Sequence, residues 1–178
     1  KDMTRTDAQR VAEEVWIVRG PVIADVDALA DCYADGDYGS GLGGPMERED
    51  AWRWFAMNIG HWQIHGYGYF TIEDKASGKP AGLSGIWNPE GWPEPELGYV
   101  VYKDFNRKGI AYEASVRMRQ WAYDDLGMTT LSSHIVPGNA ASVALATRLG
   151  AVTRAHTQTH IWAKIRFSAI QVRRHYHE

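Results

Sequence analysis

A chain of 178 residues and 20.0 kDa with 44% apolar residues is the size of one domain around an ordinary core. A net charge of -3 and a pI near 6.2 argue against a general nucleic-acid binder, which carries a basic face. No apolar run approaches the roughly 18 to 20 residues that a membrane span needs, and the opening KDMTRTDAQR is polar with no apolar signal behind it. The expectation is a single soluble, cytoplasmic domain over 1–178, with neither membrane nor nucleic acid as a partner.

In chain order, VWIVR (15–19) is a short β-rich run, followed by a helix over about 24–34 with Val26, Leu29, Ala30 and Tyr33 on its apolar face. The lone cysteine, Cys32, lies in that helix. It can form no internal disulfide, and it reads as a buried, inert thiol. GDYGSGLGGP reads as a loop. REDAWRWFAMNIGHWQIHG then places Ala51, Phe55, Ile59 and Trp62 at helical spacing and ends at Gly66. YGYFTIE, AGLSGIW and ELGYVVY are β-type runs, the first two joined by the turn-rich DKASGKP and the last two by NPEGWPEP. AYEASVRMRQWAYDDLG carries Ala111, Ala114, Met118, Trp121 and Ala122 on one face and stops at Gly127. TLSSHIV is a strand, NAASVALATRLG a helix capped by Asn139 and ended by Gly150, and AVTRAHT and HIWAKI are β-type runs. Antiparallel strands followed by one βαβ passage indicate an α+β domain with a mixed central sheet.

Two glycine-containing stretches compete as phosphate cradles. Gly39, Gly41 and Gly44 match G-x-G-x-x-G in spelling only, since they follow a helix and meet Pro45 where a dinucleotide fingerprint follows a strand and opens a helix. The second, FNRKGIAYEA (105–114), has the right context: the strand LGYVVY, a basic turn, and the start of an amphipathic helix. Unpaired N–H groups and the positive end of the dipole at such a start favour an anion, Gly109 admits close approach, and Lys103, Arg107 and Lys108 add charge.

Here the sequence resembles the GNAT superfamily of N-acetyltransferases. NRKGIA resembles its coenzyme signature R/Q-x-x-G-x-G/A, although Asn106 stands where Arg or Gln is usual, and NAASVALATRLGA resembles its second element N-x-x-S-x-x-x-x-x-x-L-G. The resemblance covers about 15–152, and the stretch WPEPELGY is similar to the branch of ribosomal-protein N-terminal acetyltransferases. Residues 158–178 are atypical of that branch. What the resemblance implies is a sheet in which the strand before the signature splays from the strand after the helix, with acetyl-coenzyme A as cosubstrate in the gap. The backbone of Tyr99, Val100 and Val101 would bond the pantetheine arm, and the N–H groups of Arg107, Lys108, Gly109, Ile110 and Ala111 would hold the pyrophosphate. Asn139 would bond the arm, and Ser142 would protonate the leaving thiolate.

The implied reaction is direct attack of a primary amine on the thioester, with a peptide N-terminus as the expected acceptor and a small amine or a non-catalytic acyl-coenzyme A module as the alternatives. Glu96 is the candidate base, since alternation puts it on one side with Gly98 and Val100; Glu94, between prolines, is the reserve. Tyr38, Trp62, Trp87 and Trp92 are the candidate acceptor contacts. His61 and His65 are spaced i, i+4 but have no acidic partner at the right offset, so no metal is expected. An exposed sheet edge would suit a homodimer.

Overall fold

A computed structural model describes residues 15–41, 45–156 and 161–165. The chain runs β1 (Trp16–Arg19), α1 (Asp25–Ala34), α2 (Gly36–Gly41), α3 (Arg48–His65), β2 (Tyr69–Asp74), β3 (Pro80–Trp87) and β4 (Glu96–Val101). A turn of 3-10 helix (Lys103–Phe105) leads to α4 (Ile110–Asp124), β5 (Leu131–Ile135), α5 (Ala140–Arg148), β6 (Ala151–His156) and β7 (Ile161–Ile165). Among the described residues the strands form one mixed sheet in the order β1-β2-β3-β4-β5-β7-β6.

β1 to β4 are antiparallel neighbours in continuous register, broken only by a shift between Ile72 and Glu73. β3 is buried from Ala81 to its end, as a strand covered on both faces must be. On one face Tyr69, Leu83 and Trp87 pack with Val26 and Leu29 of α1 and Phe55 of α3. On the other, Ile86, Leu97 and Leu131 pack with Met118 and Ala122 of α4 and Leu145 of α5.

Two local readings are corrected. Residues 36–41 are a short helix and not loop, because Asp35 Oδ1 accepts from the N–H groups of Asp37 (3.1 Å) and Tyr38 (2.9 Å) and so caps the turn. Residues 42–44, with the last glycine of the G-x-G-x-x-G spelling, lie outside the described residues. The buried face of α3 is Ala51, Phe55, Asn58 and His61, while Ile59 is exposed. The two polar residues face inward because they bond the strand below. Asn58 Oδ1 accepts from Tyr69 N–H (2.8 Å), and its Nδ2 donates to Tyr69 O (3.1 Å). The 158–178 stretch contributes β7, which lies between β5 and β6; its other residues are outside the described ones.

β4 and β5 meet at a single parallel pair, Glu96 with Ser132, where Ser132 N–H donates to Pro95 O (2.9 Å). One residue on, the Ser133 hydroxyl donates to Leu97 O (2.9 Å) where a ladder bond would lie. Beyond it the strands part.

Candidate active site

The gap between the parted strands opens into a cavity of about 180 Å³ lined by Glu96, Gly98, Tyr99, Val100, His134, Asn139 and Ser142, with Tyr69 from β2 and Leu29, Tyr33 and Trp54 from the helices above. The strand register decides which main-chain groups face it. Tyr102 N–H donates to Ala81 O (2.8 Å), so by antiparallel alternation Val100 and Gly98 also point their N–H and C=O at β3, while Tyr99 and Val101 point theirs away from it. Of the three main-chain positions expected to meet the coenzyme arm, Val100 is therefore corrected: its backbone is committed to Leu83, and only its side chain lines the cavity. The Val101 carbonyl accepts the Tyr38 hydroxyl.

At the far end of β4 the basic turn forms as expected. Arg107 (φ 60°) and Gly109 (φ 77°) are both left-handed, and Gly109 is the N-cap of α4 with no side-chain cap. An added Cβ at Gly109 would meet nothing within 4 Å, so the backbone angle and not crowding calls for glycine. The N–H groups of Ile110 and Ala111 lie in the first turn of α4, where a helix supplies no partner. Arg107 N–H is taken by the Asn106 side chain (3.0 Å), a consequence of asparagine at that position. Lys103 pairs with Asp35 (2.6 Å) and faces α1, whereas Lys108 lies over the Phe105 ring at 5.4 Å. A helix start with open N–H groups and a parted pair of strands fit a pyrophosphate and its arm.

Asn139 is the cap of α5, with its Oδ1 accepting from Ser142 N–H (3.1 Å), and both residues line the cavity. The Tyr99 hydroxyl donates to Ser142 O (3.2 Å) and so ties β4 to the start of α5 across the gap.

Glu96 is the acidic group among the described lining residues. Burial pushes its carboxyl up to about 6, against two weaker pulls downward: Trp92 Nε1–H donates to Oε2 (2.8 Å), and His134 N–H approaches Oε1 at 3.4 Å. His134 Nδ1 lies 3.8 Å from Oε2, and the Trp92 ring stacks on His134 at 5.8 Å. Glu94 is held elsewhere, by the Thr130 hydroxyl at 2.5 Å.

The candidate acceptor contacts divide. Trp92, 38% exposed, stands beside Glu96. Trp87 is buried, stacked between Trp54 (5.6 Å) and His61 (4.4 Å), and Trp62 donates to Tyr69 O (3.0 Å) and packs on Phe70 and Trp121. Neither reaches the cavity. Trp54, Tyr33 and Tyr69 do; Tyr33 lies on the apolar face expected of α1, and nothing local in the sequence around Trp54 or Tyr69 signals a cavity wall. His61 is committed too: Asn88 N–H donates to Nε2 (2.9 Å), so Nδ1 carries the proton and donates to Tyr67 O (2.7 Å), leaving no lone pair for a metal. Among the described residues no cluster of His, Cys, Asp and Glu could hold a metal ion, and no helix is long and apolar enough to cross a membrane. Cys32 is buried, which pushes its thiol up to about 11.

Residues 16–152 match the family described as the acetyltransferase (GNAT) domain. The fold is similar to that of an acetyltransferase from Agrobacterium tumefaciens, at 30% identity and a TM-score of 0.77, over 85% of this chain and 90% of that one. It is also similar to a ribosomal-protein-S5-alanine acetyltransferase from Vibrio fischeri (18% identity, TM-score 0.64, 84% and 91% covered). A spermidine N-acetyltransferase from Vibrio cholerae, solved with coenzyme A and spermine, shares the fold at 15% identity and a TM-score of 0.67, with 85% and 94% covered. The chain belongs to the GNAT family and is an N-acetyltransferase.

Proposed function

We propose that the protein moves an acetyl group from acetyl-coenzyme A directly to the α-amine of a protein or peptide N-terminus. Acetyl-coenzyme A supplies the activated acyl carbon and a thiolate leaving group. The chain's part is to hold the arm along the open edge of β4 through Tyr99 and Val101, with the pyrophosphate at the N–H groups that open α4. Asn139 bonds the arm, and the Ser142 hydroxyl donates to the departing sulfur. Glu96 takes the amine's proton, directly or through one water.

The observation that carries the acceptor class is that one carboxyl, Glu96, stands among the described residues lining the cavity, raised by burial to about 6. Passing a proton to it from an α-ammonium of pKa 7.7 to 8.0 is uphill by roughly 2 units, about 2 to 3 kcal/mol, whereas a lysine at 10.4 asks for about 6 kcal/mol. A polyamine brings several cations, and among the described lining residues one carboxyl meets them. The α-amine is the acceptor this site deprotonates most cheaply.

A thiol-release assay with acetyl-coenzyme A tests it, using peptides of varied N-terminal residue, an N-terminally blocked lysine peptide, spermidine and simple alkylamines. Free N-termini should react fastest. Faster acetylation of the internal lysine or of spermidine overturns the acceptor class.

A further inference from the structure

Tyr69 is held from every side except at its hydroxyl. Its N–H and C=O are bonded by Asn58 at 2.8 and 3.1 Å, and Trp62 Nε1–H adds a third bond to the same carbonyl (3.0 Å). Its ring lies 5.3 Å from both Trp54 and Trp87. Across the sheet, Tyr69 is in register with Gly85, and Gly85 with Gly98, so all three positions face one side in one row. Two successive glycines leave a trough in which the phenol lies flat over β3 and reaches β4. A Cβ at Gly98 would come within 1.9 Å of the Tyr69 oxygen. The residue is 8% exposed and lines the cavity, and its hydroxyl hydrogen-bonds to no described residue. Three hydrogen bonds and two indole rings thus place a hydroxyl that has no hydrogen-bond partner among the described residues.

Glu96 stands two residues before Gly98 on the same face of β4, so the carboxyl and the phenol flank one glycine at the edge of the gap. A neutral amine poised to attack has two N–H bonds. One proton leaves as the C–N bond forms and the C–S bond breaks, passing to Glu96 once that carboxylate has released the ammonium proton to solvent, while the Ser142 hydroxyl donates a hydrogen bond to the departing thiolate. The other N–H stays and needs an acceptor if the lone pair is to point at the acyl carbon.

Building on the acetyl-transfer reading above, we propose that the Tyr69 hydroxyl accepts this second N–H and orients the acceptor amine over Gly98. Tyr69 exchanges no proton in the step. Burial raises its hydroxyl well above the usual range, with the Glu96 charge adding to the effect, so it stays a neutral phenol wherever the enzyme works.

The test pairs Tyr69→Phe with a change in the acceptor. Phenylalanine keeps the ring between Trp54 and Trp87, so the melting temperature and acetyl-coenzyme A affinity should stay as in the wild type, while kcat/KM for a primary-amine peptide falls about tenfold. An N-methylated N-terminus has lost the second N–H. The wild type should therefore disfavour the N-methyl peptide, and Tyr69→Phe should shrink that preference by about the same tenfold. Activity within twofold of wild type in a folded Tyr69→Phe protein overturns the proposal. So does an unchanged N-methyl penalty, which would mean that the hydroxyl serves the thioester or the packing. Should Tyr69→Phe be too unstable to assay, Gly98→Ala, whose methyl displaces the hydroxyl, must shrink the same penalty; a full penalty there overturns the proposal. A wild type that prefers lysine or spermidine defeats the N-terminal acceptor class instead, without touching the Tyr69 comparison.

Discussion

Two enclosed carboxyls, Asp25 and Glu96, lie under the same face of the sheet, the first near β1 and β2 and the second at the gap beside β4, and have opposite fates. Asp25, at the start of α1, accepts from Nη2 and Nη1 of Arg19 (2.8 and 3.0 Å), from Val22 N–H (2.9 Å) and from the Thr71 hydroxyl (2.7 Å). Burial alone would raise its carboxyl. The bonds from Arg19, Val22 and Thr71 together outweigh that and hold it below the usual range. Glu96 is nearly as enclosed, but one indole N–H and one long backbone contact are too little to offset burial, and its carboxyl rises. A saturated carboxylate keeps its charge and does structural work; a half-satisfied one is left ready to take a proton.

Breaking the two sites should separate stability from turnover. Asp25→Ala strands Arg19 against Glu73 alone and unpairs Thr71, and we expect a loss of about 3 kcal/mol in urea unfolding at pH 7. Its kcat/KM should be nearly that of the wild type at temperatures where it is folded. A stability loss below about 1 kcal/mol would mean that Glu73 already satisfies Arg19.

Glu96→Gln should do the reverse. Losing the base should lower kcat/KM about a hundredfold. The wild-type limb that rises with pH near 6 should vanish, and the limb set by the amine itself should remain. Stability moves the other way. A carboxyl raised on folding contributes stability that is complete below its unfolded pKa of 4.5 and is lost as pH climbs through about 6, so ionised Glu96 is a burden at pH 7. Glutamine keeps an acceptor for Trp92 and should unfold roughly 1 to 2 kcal/mol later in urea at pH 7, with the advantage gone by pH 4. Asp25 has the opposite sign, since its contribution is lost only in acid. A Glu96→Gln protein no more stable than wild type at pH 7 would show that the carboxyl is better solvated than its surroundings indicate.

The turn to which we assign the coenzyme was readable from sequence because its cues are local: the strand LGYVVY, a left-handed glycine and a helix start follow one another up to FNRKGIA, and Asn139 caps the helix that it begins. The acceptor half was not, because its cues lie across strands. Nothing in YGYFTIE says that the first tyrosine after Gly68 will reach β4; that depends on Gly85 and Gly98 coming into register with it. Asn58 and His61 were hidden for a related reason. A polar residue on a helix reads as exposed until its strand partner, here Tyr69 or Tyr67, is known. Trp62 and Trp87 look like wall residues by position in the chain and are core by contact.

The smallest expected effect extends the contrast between saturated and waiting groups to the main chain. On the open edge of β4 the Val101 carbonyl is already bonded by the Tyr38 hydroxyl from α2, so Tyr38 and the amide of a pantetheine arm would compete for one acceptor. Removing the hydroxyl should cost the free protein about 1 kcal/mol and tighten acetyl-coenzyme A by a factor of about 2 to 10, the range of a single net hydrogen bond. Calorimetric titration of Tyr38→Phe reads this directly. Unchanged affinity would show that the arm does not use Val101. Weaker affinity would show that Tyr38 turns to the coenzyme itself, making α2 part of the binding site and not a placeholder for what binds there.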